Sequence, residues 1–268
     1  DLKAFHDTWV RPNNATLLVV GDVSMEALLP KLEDAFARWK AGDIPEKNLA
    51  TVRNRDQPTI FIMNRPGAEQ SIIAAGHVVP PKSDFSDLAI DSMNQILGGS
   101  FTARLNMNLR EDKSWSYGAR TLLLDAAAQR PWLAFAPVQS DRTADSMAEI
   151  QKEIVQIRGE APPTDAELAK IKDQRTLTLP GRWQTNGAVV GDLAEIVRFD
   201  LPDDHWDSYA GQVRALSLDD VSAQAERVLD PNGLIWVVVG DRAAIEEDIK
   251  ALDLGEVRYL DANGKEID

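Results

Sequence analysis

The chain has 268 residues, 44% hydrophobic and 27% charged, with no cysteine. This is a globular composition rather than a disordered or fibrous one. Lys and Arg number 29 against 43 Asp and Glu, for a net charge of -14 and a pI near 4.7, which argues against nucleic acid and anionic membranes as partners. The lack of Cys excludes disulfides, Cys-ligated zinc, iron–sulfur clusters and thiol catalysis. No apolar run approaches the roughly 18 residues of a membrane-spanning helix.

Taken in chain order, Leu2, Phe5 and Trp9 share one face of a first helix, which Pro12-Asn13-Asn14 ends. Residues 16–20 predict a buried strand closed by Gly21-Asp22. Ser24 caps a second helix whose apolar stripe is Leu28, Leu32, Phe36 and Trp39. Residues 41–58 read as a linker. A second body starts at Thr59, with strands at 60–63 and 71–79, then a helix over 85–97 that Gly98-Gly99 closes as a C-cap. A helix holding Leu105 and Leu109 follows, then strands at 115–124 and 132–139. Long helices come next. One carries Met147, Ile150, Ile154 and Ile157; another opens with the capping box Thr164-Asp165-Ala166-Glu167. Further helices cover 187–198 and 204–214 and follow Ser217.

The start and end of the chain echo each other. Each reads helix, Pro-Asn turn, apolar strand, Gly-Asp, helix, with Pro and Gly at 12 and 21 in one copy and 231 and 240 in the other. The repeat implies two related domains. Residues 1–40 are expected to be the end of a preceding, truncated domain, 41–58 the linker, and 59–268 a nearly complete second domain. The element order predicts an α+β fold, with a mixed, largely antiparallel sheet and helices on one face.

Phosphate loops, dinucleotide fingerprints and nucleophile elbows are absent. The three histidines, His6, His77 and His205, form neither H-E-x-x-H nor H-x-x-E-H, and each reads as a surface or core histidine. The stretch Ile96-Leu97-Gly98-Gly99 through Arg104-Leu105, Leu109-Arg110-Glu111 and Tyr117 stands out. Taken alone, Arg110 near a helix C-terminus complements the helix dipole, and Tyr117 suits a strand.

The same stretch resembles the insulinase-type zinc metallopeptidases, the family of pitrilysin and the mitochondrial processing peptidases. Their non-zinc half carries a pattern like I-L-G-G-x-x-x-x-R-L-x-x-x-L-R-E-x-x-x-x-x-Y, and the opening and closing units also resemble the family's. The resemblance implies a processing-peptidase-like fold built from two-domain halves around a chamber. It implies a C-terminal, substrate-clamping half in which Arg110 and Tyr117 contact a peptide near its scissile bond. Gly98 and Gly99 would be a substrate-contacting loop, although a helix C-cap accounts for them equally.

The inverted zinc motif is missing, so this chain is expected to bind no metal and hydrolyse nothing alone. Zinc is expected in a partner half, upstream in the same protein or on another subunit. The implied partners are peptide substrate, that zinc-bearing half and, as a further option, a second copy of this chain; nucleic acid and membrane insertion are not expected. The family's glycine between Glu111 and Tyr117 has no counterpart, and Ser114-Trp115-Ser116 stands there. The location expected by analogy is the periplasm. Two other readings are an inactive family member serving as a binding or assembly scaffold, and an unrelated α+β domain that binds a small molecule.

Overall fold

A computed structural model describes residues 1–267. The chain forms two compact units, Asp1–Ala50 with Thr176–Ser208, and Thr51–Arg175 with Tyr209–Asp268.

The first unit is helical. It holds the helices Leu2–Trp9, Met25–Phe36 and Asn186–Phe199, with a 3-10 turn at Pro12–Asn14. Ser24 caps its helix as predicted, its hydroxyl accepting from Ala27 N–H at 3.3 Å. Asn13 exchanges two hydrogen bonds with the Gly42 backbone, at 2.9 and 3.2 Å. The guanidinium of Arg182 (2.7 and 2.6 Å) and the indole N–H of Trp183 (2.6 Å) converge on the Asp192 carboxylate. Burial alone would raise that carboxyl, but the hydrogen bonds outweigh it and hold it below the usual range. Residues 16–20 depart from expectation. They join no sheet, and Leu17 and Val19 are exposed. A strand is stable only when its N–H and C=O groups meet another strand's edge, and among the described residues none pairs with this one.

The second unit is built on a seven-stranded sheet. Its strands are β1 (Thr59–Asn64), β2 (Gln70–Val79), β3 (Arg120–Leu123), β4 (Arg130–Gln139), β5 (Ile235–Gly240), β6 (Glu256–Leu260) and β7 (Glu266–Ile267), in the order β3-β4-β2-β5-β1-β6-β7. β1 runs parallel to β5 and β6; the other neighbours are antiparallel. The sheet is therefore mixed and largely antiparallel, as the element order implied. β6 and β7 were not predicted, because they are short and carry Glu256, Arg258 and Glu266 in place of an apolar run.

Alternation puts Ile60, Ile62, Ile73, Ala75, Trp132, Ala134, Trp236 and Val238 into the core. The helices Asp87–Asn94, Thr143–Gln156, Leu218–Val228 and Arg242–Ala251 bring Ile90, Met147, Ile150, Val221 and Ile249 into the same cluster. Removing one such aliphatic side chain from a packed core costs about 2–5 kcal/mol. The capping box at Thr164 forms: Glu167 accepts from Thr164 N–H at 2.9 Å, and Thr164 Oγ accepts from Glu167 N–H at 3.3 Å. The guanidinium of Arg130, 1% exposed, meets the carboxylates of Asp87 and Asp125. A buried cation needs such partners, since removing one strands the charge.

Glu246 ties the helix Arg242–Ala251 to β6. Its carboxylate accepts from Arg242 Nε, Lys250 Nζ and Tyr259 Oη, each at 2.5 Å. The hydrogen bond from Arg242, then those from Lys250 and Tyr259, lower its pKa from 4.5 to about 2. A depressed acid stabilises the fold above its unfolded pKa and loses that contribution as pH falls toward the folded value. Glu246→Gln should therefore lower the melting temperature at pH 7. The gap to wild type should close as pH falls from 4.5 to about 2, and melting curves across that range check it.

Candidate functional site

The helix Asp87–Asn94 runs on into a π-helical turn, Gln95–Gly99. Asn94 anchors the junction. Its side chain accepts from Trp132 Nε1 at 3.0 Å, and its carbonyl accepts from Thr121 Oγ1 at 3.1 Å. Gly98 is buried, and a Cβ there would lie 2.6 Å from the Thr121 nitrogen and 2.7 Å from its Cγ2. Gly98 is thus where the turn lies against β3, and its bare Cα is what lets the two backbones meet. Gly99 is half-buried and lines a cavity of about 200 Å³ with Asp91, Asn94, Gln95 and Thr121. The two glycines end a π turn rather than cap an α-helix, and Ser100 continues as extended chain.

Residues 100–103 lead to one α-helical turn, Arg104–Asn106, which widens into a second π-helical segment, Met107–Asp112. Single π turns recur at functional sites because they re-aim side chains. Arg104 is a strut. Its guanidinium donates to Glu167 at 2.6 and 2.7 Å and to the Pro162 carbonyl at 2.9 Å. Asn108 bonds Glu149 and Glu153, both at 2.8 Å.

Arg110 is differently placed. Its guanidinium carbon lies 4.7 Å from the centroid of the Phe101 ring, a cation–π contact. Its nearest carboxylate, Glu111, is 3.5 Å away, and the side chain is 37% exposed. Tyr117 is 86% exposed, and among the described residues its hydroxyl makes no hydrogen bond. The chain on either side of it is pinned. Gln139 donates from its backbone to Trp115 O and from its side chain to Ser114 O, both at 3.0 Å. Ser116 Oγ donates to the Pro137 carbonyl at 2.5 Å and accepts from Gly118 N–H at 3.0 Å. The predicted strand over 115–124 is therefore shorter than expected. A single bridge, Ser116 to Val138, precedes β3, because the chain leaves its helix through Ser114 at φ 56°.

Ser114 occupies the left-handed region that favours glycine. The structure brings Phe101 and Arg110 together and holds Tyr117 on a braced lead-in to β3; Gly98 faces the sheet.

Sequence reasoning missed Phe101 and Asn106. Asn106 is 4% exposed; its amide donates to Phe101 O at 2.6 Å and accepts from Ala119 N–H at 3.1 Å. Asn106 and Asn108, two asparagines set between the buried Leu105 and Leu109, were the available signal.

The histidines have separate surroundings. His6 is exposed on the first helix, and His205 lies against Trp206 at 4.9 Å. His77 stacks on Trp132 at 5.4 Å and accepts from Asp230 N–H at 3.3 Å, and burial lowers its pKa. Among the described residues no group of three or more His, Cys, Asp or Glu could hold a metal, so these side chains do not fit a zinc site. No described helix is long and apolar enough to cross a membrane.

Two opposite stability effects follow from the site's backbone. Ser114→Gly should raise stability by about 0.5–1 kcal/mol by relieving the left-handed φ. Gly98→Ala should cost about 1–3 kcal/mol through overpacking against β3. Denaturant titration of both variants measures each.

A family model described as the peptidase M16 inactive domain matches residues 1–175. A zinc protease, PqqE, from Helicobacter pylori is 25% identical over 204 residues, covering 73% of this chain and 44% of that protein. A crystal structure of a peptidase M16 inactive domain from Pseudomonas fluorescens aligns with a TM-score of 0.79 at 22% identity, covering 91% of this chain and 58% of that one. The periplasmic protease PqqL from Escherichia coli aligns with a TM-score of 0.68 at 15% identity, covering 100% of this chain and 32% of that one. At these identities the solved structures show the fold. The chain spans about half the length, or less, of these relatives.

Proposed function

The chain belongs to the peptidase M16 inactive-domain family, and on that premise we propose that it is the peptide-clamping half of a zinc peptidase whose metal lies in another half. The observation that carries this reading is the arrangement of Arg110 and Tyr117. A guanidinium rests on an aromatic ring with the Glu111 carboxylate 3.5 Å away, and a phenol stands exposed on a braced segment; among the described residues neither side chain is hydrogen-bonded.

Both groups donate hydrogen bonds. They suit a peptide carbonyl flanking the scissile bond, and their pull strengthens as charge develops on its oxygen. The Phe101 ring keeps the Arg110 fork from folding back into solvent, so less conformational freedom is lost on binding. A zinc ion held by the other half would supply the activated water; this chain's part is to bind and orient the peptide. Gly98 and Gly99 would be substrate-contacting residues of the same site. A periplasmic location is proposed with it, supported by the description of the Escherichia coli relative as periplasmic.

Hydrolysis of a fluorogenic peptide by this chain alone, and by the chain with its zinc-bearing half, tests the proposal. Activity is expected only in the combination. Arg110→Ala or Tyr117→Phe should cut it at least ten-fold, about 1.4 kcal/mol of barrier. Full activity in the combination despite both substitutions would reduce this chain to an assembly scaffold.

A further inference from the structure

Phe101 is 65% exposed, yet it is held from two sides. One face of its ring carries the Arg110 guanidinium at 4.7 Å. Its carbonyl accepts from the Asn106 amide at 2.6 Å. The same carboxamide accepts at 3.1 Å from the N–H of Ala119, two residues beyond Tyr117. Asn106 is 4% exposed and Ala119 3%, so this bridge is shielded from competing water and keeps its strength. One buried side chain therefore sets the spacing between the segment bearing Phe101 and the segment bearing Tyr117. Met107, the residue after Asn106, is 38% exposed.

An aromatic ring fixed in solvent is preorganised for contact. Its chemistry selects an apolar side chain, because covering the ring removes water from both surfaces and strands no polar group. A peptide held by Arg110 would lie beside the same ring. We propose that Phe101 is a substrate-contact residue that makes the site prefer peptides with an apolar side chain beside the scissile bond, and that Asn106 is the positioning residue that holds Phe101 in register with Tyr117. The inference rests on the clamp reading above and adds a substrate class to it.

The test uses the chain together with its zinc-bearing half and two fluorogenic peptides that differ only beside the scissile bond, Leu in one and Ser in the other. Wild type should favour the Leu peptide in kcat/KM. Phe101→Ala should narrow that ratio at least five-fold, chiefly through the KM of the Leu peptide, and Phe101→Tyr should restore it. Asn106→Asp retains an acceptor for Ala119 but removes the donor to Phe101. It should raise KM for the Leu peptide several-fold while kcat changes less. Arg110→Ala should lower both peptides alike.

If Phe101→Ala lowers both peptides equally, or weakens association of the two halves with selectivity intact, the ring is a structural or interface residue and the inference falls. If Arg110→Ala and Tyr117→Phe are silent as well, the clamp reading fails with it. If those two are damaging while selectivity survives Phe101→Ala, only the present inference is overturned.

Discussion

The bare Cα of Gly98 against the Thr121 backbone is the constraint from which the rest of the site hangs. It allows a π-helical turn to lie directly on β3, the outermost strand on that side of the sheet. Asn94 locks the contact with bonds to Trp132 and Thr121. With the turn fixed there, the short link through Phe101 has little freedom. The following helix must start where Arg104 reaches Glu167, and Arg110 must emerge over the ring. Two widened helical segments in succession turn what would be an ordinary packed helix pair into a rigid support for exposed side chains.

Charge is used unevenly across the molecule. The chain is strongly acidic, and several of its arginines serve as struts to carboxylates: Arg104 to Glu167, Arg130 to Asp87 and Asp125, Arg175 to Asp91, Arg182 to Asp192. Arg110 breaks the pattern, with a ring for its principal contact and a carboxylate only at 3.5 Å. A guanidinium whose donors are not hydrogen-bonded within the protein keeps them available to a carbonyl or carboxylate.

Much of the fold was legible because alternation and turn chemistry are local. The runs at 71–79 and 132–139 became β2 and β4, and the Pro-Asn to Gly-Asp unit near the end became β5. The matching run at 16–20 carries the same local signal without forming a ladder, since apolar composition does not supply a partner edge. At the site, Arg110 and Tyr117 could be named from a motif. Phe101 could not, because one exposed aromatic in a sequence looks like any other. Asn106 acts through two backbone contacts that span separate turns, and no periodicity reports those. Ser114 carries a left-handed φ where glycine would be easier, and no sequence pattern announces it.

The position of β1 bears on how the molecule comes into being. β1 lies between β5 and β6, with Thr59 beside both Ile235 and Glu256, so an early strand receives both its neighbours from about the last fifth of the second unit's sequence. Parallel pairings this distant in sequence form slowly, because a long loop must close before any contact rewards it. During synthesis β1 waits with both edges open until nearly the whole unit has left the ribosome, while β2 and β4 can already pair. The sheet is therefore completed from its centre last, and the nascent chain depends on remaining unaggregated through that interval.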